Sequence, residues 1–518
     1  MINRRRFLSY GLGLGAATWL AACKQEQHIA NKASEHAHGH AAASDAHHHH
    51  MNEHLANWQN SNQNMLKHPN EQDLLDIQQL SSGLALPALA ILQNQATQPQ
   101  RFEARLVADK HHLELVSGLK TECWLYNGVL GGPQIVVYEE DEVSIEFVNR
   151  LDEETTVHFH GLPVPPSEDG NPQDSVKPGQ SRWYRFKLPK GCAGTYWYHT
   201  HAHGLSAQQA FKGLAGTLIV KSKQDVLAHL PEQHWLLTDM RLLKNGQMAP
   251  NTEFDWVNGR EGAFVLINGA YKPNIRIQDT TRIRIWNACN GRYFKLHIPD
   301  CDIIVIGTDG GLLSEPLPAV TELLLAPAER YEVVLKPRQQ GRLLLQDVSY
   351  DRHKMLETFV QSTTDLASIE YQGKTEPLPE VLRPMPPLPS ASAEQYVSFS
   401  EDGNAPLQQM FKVNGQVFDM QRIDLRAKVG VVEDWLITNA SHMDHPFHLH
   451  GTQFEIIEFV DMGEAQAMPY RCLKDTVNLK PYQSVRIRTK QEFKGLRMFH
   501  CHILEHESLG MMGQLSVE

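Results

Sequence analysis

Four His-x-His pairs carry the strongest chemical signal in the chain: His158-Phe159-His160, His199-Thr200-His201, His448-Leu449-His450 and His500-Cys501-His502. On an extended strand residues i and i+2 share a face, so each pair aims two imidazoles the same way. A single pair is commonly a hydrogen-bonded core feature, whereas four pairs at matching places point to metal. Eight imidazoles exceed the needs of any mononuclear site. Two stretches of chain must therefore face each other around a polynuclear cluster. Cys501 lies between two of these histidines and points to the other side of its strand, where a thiolate can take a separate metal joined to the cluster through backbone. His445, His506 and Met511 stand close by, and two imidazoles, a thiolate and a thioether make the blue-copper electron-transfer set. Zinc is the rival for such a group, although closed structural zinc sites do not favour methionine.

The elements that must hold these residues read as short alternating strands separated by Gly, Pro and Asn turns from about residue 97 onward, the pattern of β-sandwiches. A weak repeat runs through them. Tyr126-Asn127-Gly128, Ile267-Asn268-Gly269 and Val413-Asn414-Gly415 each precede a strand that ends in Asn, at Asn149, Asn287 and Asn439. Pro-led turns come next, at Pro178-Gly179, Pro327-Ala328 and Pro481-Tyr482. His158 and His448 both lie nine residues after the strand-ending Asn, while the same offset in the middle copy falls on Leu296. The outer copies thus supply two His-x-His pairs each and the middle copy supplies none. The expected organisation is a domain over 97–225, a ligand-free domain over 226–375, a Pro-rich linker over 376–394 and a third domain over 395–518.

The whole chain has 518 residues, 41% apolar and 21% charged, with 48 basic and 60 acidic residues. A net charge of −12 argues against an electrostatic nucleic-acid binder. Seven cysteines are too few for a disulfide scaffold. Apart from Cys23 and Cys501 they are Cys123, Cys192, Cys289, Cys301 and Cys472, an odd number, and are read as buried small hydrophobes. The N-terminus reads as an address. Arg4-Arg5-Arg6-Phe7-Leu8 before the apolar stretch Gly11 to Ala22 has the shape of a twin-arginine export signal, and Leu20-Ala21-Ala22-Cys23 resembles a lipoprotein cleavage box. Loss of residues 1–22 removes three arginines and leaves a mature charge of −15. Residues 28–54 hold nine histidines among small polar residues, a composition expected to be disordered and able to bind metal loosely. Residues 23–96 as a whole are expected to form a disordered tether and linker.

The motifs His158-Phe159-His160-Gly161, Trp197-Tyr198-His199-Thr200-His201, His445-Pro446-Phe447-His448-Leu449-His450-Gly451 and His500-Cys501-His502 through Met511 together resemble the multicopper oxidase family. Within it, residues 97–518 resemble the bacterial periplasmic copper-efflux oxidase and laccase-like relatives. The resemblance implies an all-β fold of three cupredoxin-like Greek-key sandwiches and four coppers per chain. His445, Cys501, His506 and Met511 would hold a type 1 copper, and His158 and His448 a type 2 copper. The type 3 pair would take His160, His199 and His502 on one side and His201, His450 and His500 on the other. Asp169 and Glu507 match the family's proton-handling acids, and Met443 matches one methionine of a copper(I) site, whose acidic position is Ser441 here, with Asp444 out of register.

The implied activity is oxidation of copper(I) or phenols coupled to reduction of dioxygen to water, in the periplasm, by a monomer exported by the twin-arginine machinery and anchored by a lipid on Cys23. The stretch Ser390 to Met410 lacks the family's methionine-rich insert, which favours bulkier organic donors and leaves the histidine tract as a candidate copper collector. The competing readings are a copper-sequestering envelope protein, a copper-free cell-division scaffold of the same fold, and more remotely a copper nitrite reductase.

Overall fold

The computed structural model describes residues 70–518 except Leu356 and Thr375. The export signal, Cys23 and the histidine tract lie outside the described residues.

Strands from Arg101 to Lys221 form two four-stranded sheets. One holds Leu119–Tyr126, Arg101–Val116, Glu142–Asn149 and Ser181–Lys187, and the other Ile135–Tyr138, Ala215–Lys221, Gly194–His199 and His158–His160, each in that spatial order. The sequence alternation explains how they stack. Phe102, Ala104 and Leu106 of the first strand, and Val143, Ile145 and Phe147 of its parallel neighbour, turn inward against Phe159, Tyr196, Tyr198 and Leu218 of the facing sheet. Burial of each large side chain contributes about 1.5–3 kcal/mol. The plan recurs in a seven- and a five-stranded sheet spanning Glu232 to Tyr371, and again in two sheets spanning Ala393 to Val517. In each copy the first strand of the repeat pairs in parallel with the Asn-ending strand.

The repeat is built from identical local devices. Asn127, Asn268 and Asn414 all adopt φ near +51° and use the side-chain amide to bridge the strand behind them, accepting from Val107, Leu236 and Ser398 N–H respectively. Asparagine tolerates this left-handed geometry and can bond locally. Asn149, Asn287 and Asn439 each accept from the N–H two residues on and donate to a carbonyl of the next loop. The Pro-led turns place Gly179, Ala328 and Tyr482 at positive φ, the third position of a type II turn. Leu296, at the ligand position of the middle copy, is a buried core residue.

Residues 70–96, expected to belong to a disordered tether, instead lie along the folded domains. Leu75 and Leu80 enter a cluster with Val116, Met240, Leu242, Phe264 and Leu266, and Leu74, Ala85 and Ile91 make isolated strand bridges to Leu243, Asn274 and Gln134. Their apolar side chains have no regular period, so only the surfaces they cover define their place. The Pro-rich linker behaves as a strap: Leu382 is buried, and Arg383 donates to the carbonyls of Ala193 and Gly310.

Candidate metal centre

Backbone register assembles the histidines. His158 pairs directly with His199 on neighbouring strands of the first sandwich, and His448 with His500 in the third. All eight imidazoles are fully buried where the two sandwiches meet. His158 stacks on His450 at 3.8 Å and His160 on His448 at 3.7 Å between ring centroids, so each stack joins the two domains. Nε2 of His158 is 3.4 Å from Nε2 of His448, and Nε2 of His500 is 3.1 Å from those of both His201 and His450. His502 completes the ring, its centroid 4.8 Å from His160 and 5.4 Å from His199.

Electrostatics makes seven of these rings ligands rather than cations. Burial, reinforced by repulsion among neighbouring imidazoles, holds His160, His199, His201, His448, His450 and His502 well below the usual histidine range, and His500 is pushed down to about 3. The outer nitrogens of four rings are already engaged: Nδ1 of His158, His199, His448 and His500 meets the carbonyls of Asp169, Thr200, Asp475 and Cys501 at 2.7–2.9 Å. These bonds fix the tautomer and free Nε2. Both ring nitrogens of His160 and His502 and Nε2 of His199 lack a hydrogen-bond partner. Unpaired buried nitrogens are costly; neutral imidazoles converging on one space fit copper or a similar borderline metal.

On the opposite side of strand Gly495–Cys501, Cys501 Sγ lies 3.3 Å from His445 Nδ1 and 3.8 Å from His506 Nδ1, and the two Nδ1 atoms are 3.4 Å apart. His506 sits on the short helix Leu504–Ser508, its Nε2 directed to the Val257 carbonyl at 2.9 Å. Met511 is fully buried and tied to the group through backbone, donating to the His506 carbonyl and accepting from Cys501 N–H. The Ile503 N–H reaches Cys501 Sγ at 3.4 Å, a bond that stabilises a thiolate. Without a metal, burial pushes the Cys501 thiol up. Eleven of the twelve expected ligand positions are thus gathered into two adjoining clusters, with Met511 joined to the second through its backbone.

The expected acids are both at the cluster. Asp169 lies 3.3 Å from Nδ1 of both His158 and His450, with the buried guanidinium of Arg497 at 3.5 Å. Glu507 lies 3.7 Å from His201 Nδ1 and accepts from Ser206 Oγ at 2.6 Å; burial raises its carboxyl above the usual range. Met443 is the exception. Expected as a copper(I) contact, it is fully buried with its sulfur 3.3 Å from Arg352 Nη1. Ser441 bonds to Asn439, and Asp444 accepts from Tyr350 and Asn478.

Sequence reasoning missed three groups. Asp475 lies 3.4 Å from His160 Nδ1 and is held bidentately by Arg330 of the middle sandwich at 2.5 Å. Glu401 accepts from His445 Nε2 at 3.1 Å and pairs with His442 at 2.8 Å. Arg497 donates to the Val164 carbonyl at 2.8 Å. The glycine closing two motifs was a usable signal: a Cβ on Gly161 would sit 1.8 Å from Asp475 Oδ2, and one on Gly451 1.4 Å from Arg497 Nη1. Both glycines mark where a buried charge meets backbone. Cys123, Cys192, Cys289, Cys301 and Cys472 are all free and buried, as expected.

Residues 108–225, 193–373 and 387–518 match family models described as multicopper oxidase. The chain is 32% identical over 426 residues to the multicopper oxidase mco of Staphylococcus aureus, covering 80% of this chain and 88% of that protein. It superimposes on the solved structure of a Campylobacter jejuni multicopper oxidase, described as a metallo-oxidase, with a TM-score of 0.85 and 44% identity, covering 87% of this chain and 98% of that one. It is also 30% identical over 454 residues to the cell division protein FtsP of Photorhabdus laumondii, covering 83% and 92% of the two chains.

Proposed function

The chain belongs to the multicopper oxidase family, and we propose that it couples one-electron oxidation of a phenolic donor or copper(I) to four-electron reduction of dioxygen to water in the cell envelope. The observation that carries this reading is the ring of eight buried imidazoles lying back to back with His445, Cys501 and His506. His158 and His448 would hold a type 2 copper, with His160, His199 and His502, and His201, His450 and His500, holding a type 3 pair. His445, Cys501, His506 and Met511 would hold the type 1 copper. Copper bound there supplies reversible one-electron transfer and a site at which dioxygen can be reduced.

The protein's own groups do the rest. Residues 500–502 connect the two ligand sets without a break, so the electron path needs no side-chain rearrangement. Asp169 holds His158 and His450 in orientation. Glu507, with its raised carboxyl and its bond to Ser206, holds a proton at Oε within 3.7 Å of His201 and delivers it toward the cluster. Full burial keeps bulk water away from the imidazoles. The contact between Arg352 and Met443 supports an organic donor over copper(I). The export-type N-terminus supports an envelope location, and the histidine tract a contribution to copper tolerance. The three pairs of sheets support domain limits of 97–225, 226–375 and 395–518.

The similarity to FtsP raises the copper-free scaffold reading, but that reading needs lost ligands and all twelve positions are filled. The test is to load the purified protein with copper, count metal, record the blue absorbance and follow oxygen uptake with a phenol and with copper(I). About four coppers per chain and oxygen uptake are expected. Cys501→Ser should lose the blue band and turnover while the fold persists; a chain that binds no copper sinks the proposal.

A further inference from the structure

The type 1 ligand group is closed on one side by the sandwich that contributes none of its ligands. Helix Glu253–Asn258 packs on helix Leu504–Ser508, and Gly259 approaches Ile503 so closely that a Cβ would sit 2.5 Å from its Cγ2. Between strands Gly341–Val348 and Thr363–Tyr371 the chain sends Arg352, which is 2% exposed, into this cover. Its Nη1 lies 3.3 Å from Met443 Sδ, two residues before His445, and Nη2 also donates to the Asn258 carbonyl. Its carbonyl accepts from the N–H of Asp444 at 3.1 Å. Along another edge the guanidinium bonds to Glu261 Oε1 at 2.9 and 3.2 Å, and Glu261 is held in turn by Lys354 at 3.3 Å. Glu401 sits across the group, on His445 Nε2.

Nη2 of Arg352 bonds the carbonyl of Asn258, next in sequence to Val257 whose carbonyl meets His506 Nε2, and Nη1 meets the sulfur of Met443, two residues before His445, so the guanidinium charge stands beside the ligand set. A fixed charge in a dry, low-dielectric setting acts at long reach on any neighbouring change of charge. A metal centre that gains an electron becomes less positive, so a nearby guanidinium stabilises its reduced form.

Resting on the copper reading above, we propose that Arg352, supplied by the ligand-free middle sandwich, sets how strongly the His445–Cys501–His506–Met511 centre draws electrons, and hence which reductants can feed it. Arg352 is a specificity-determining residue that acts through charge, and Glu261 is its counterweight. The charges predict opposite signs for opposite deletions, which a merely structural role would not produce.

The experiment is a spectroelectrochemical titration of the blue absorbance in copper-loaded, oxygen-free protein, for wild type, Arg352→Met, Arg352→Lys, Glu261→Gln and the double variant Arg352→Met/Glu261→Gln. Arg352→Met should lower the midpoint potential, Glu261→Gln should raise it, Arg352→Lys should stay near wild type, and the double variant should fall between the singles. Turnover of a phenol that is hard to oxidise should fall more in Arg352→Met than turnover of one that is easily oxidised. An unchanged or raised potential in Arg352→Met, or both single variants shifting the same way, overturns the proposal. Should Arg352→Met not fold, a rise in Glu261→Gln supports it and anything else overturns it. A wild type without blue copper fails the copper reading itself, and is told apart by metal content alone.

Discussion

Replacing Arg330 by Met removes a buried side chain that touches all three sandwiches. From the middle sandwich its fork holds both carboxylate oxygens of Asp475 at 2.5 Å, while Nε donates to the Thr195 carbonyl at 2.7 Å and Nη1 to that of Ala328 at 3.0 Å. Arg330 and Asp475 are both buried, and Asp475 lies beside Asp309, whose Oδ2 accepts from its backbone N–H at 3.2 Å. Burial and Asp309 raise the Asp475 carboxyl while the Arg330 fork opposes them. Without the fork, a carboxylate is left unpaired in a dry interface, a change that costs about 3–5 kcal/mol. Asp475→Asn alone should cost less, because Arg330 keeps its two carbonyl partners. The double variant should cost less than the sum by about 1–3 kcal/mol, the coupling expected of residues in contact. Urea unfolding of the copper-free proteins measures these shifts. Copper content gives a second readout, since Asp475 also backs His160 and its carbonyl positions His448. Costs that simply add in the double variant, or an Arg330→Met protein within about 1 kcal/mol of wild type, would refute the reasoning.

Three further outcomes are expected. Glu507→Gln keeps the bond to Ser206 but cannot release a proton, so oxygen turnover should fall about 10²–10⁴-fold with copper content unchanged; equal turnover removes Glu507 from proton delivery. Copper-free protein should be acid-sensitive: with native values depressed below 6.5, the unfolded chain binds more protons, so stability is lost as pH falls below about 6.5, by about 1.4 kcal/mol for each such imidazole at pH 5.5. Asp347, raised by burial to about 6, works in the opposite sense over part of that window, and copper loading should abolish most of the loss; an acid-stable apoprotein would contradict the buried-neutral assignment. Deleting residues 28–54 should slow copper(I) turnover at limiting copper and leave phenol turnover alone; unchanged copper(I) kinetics would end the collector role of the tract.

What the sequence disclosed depended on the range of the interactions involved. The Asn caps and Pro-led turns close bonds within a few residues, and the Asn-Gly turns are marked by their own two residues although each Asn reaches back 16 to 32 residues to its partner strand, so all three copies were visible. The His-x-His pairs were visible because a strand's period of two is a local rule. Asp475, Glu401 and Arg497 were not, because each finds its histidine or acid only after strands from separate parts of the chain have paired or docked. Asp475 depends on Arg330, 145 residues away, and Arg497 on Asp169, 328 residues away. The surroundings of Met443 were out of reach for the same reason, since its sulfur meets Arg352, 91 residues earlier. The segment 70–96 failed for another reason. Leu75, Leu80 and Leu92 have no periodicity, and composition alone does not separate a strap from a tether.

The middle copy has kept the Asn devices of its siblings and has Leu296 at the ligand position, yet it reaches both metal groups, through Arg330 to Asp475 and through Arg352 and the Val257 carbonyl to the type 1 group. The imidazole ring is therefore a property of no single sandwich, and the type 1 set, whose four residues all lie in the third, is closed by the middle one. The imidazole ring exists only when the first and third domains are docked, and the middle domain braces that docking. Any metal that binds the assembled ring binds the docked state alone, so its binding energy adds to the docking energy by linkage. Copper should consequently stabilise the interfaces between sandwiches more than any sandwich by itself. Hydrogen exchange on apo and copper-loaded protein reads that difference directly. Protection should rise most at Thr195, Gly310 and Asp475, whose N–H groups bond in or beside the interface, and least in strand Arg101–Val116.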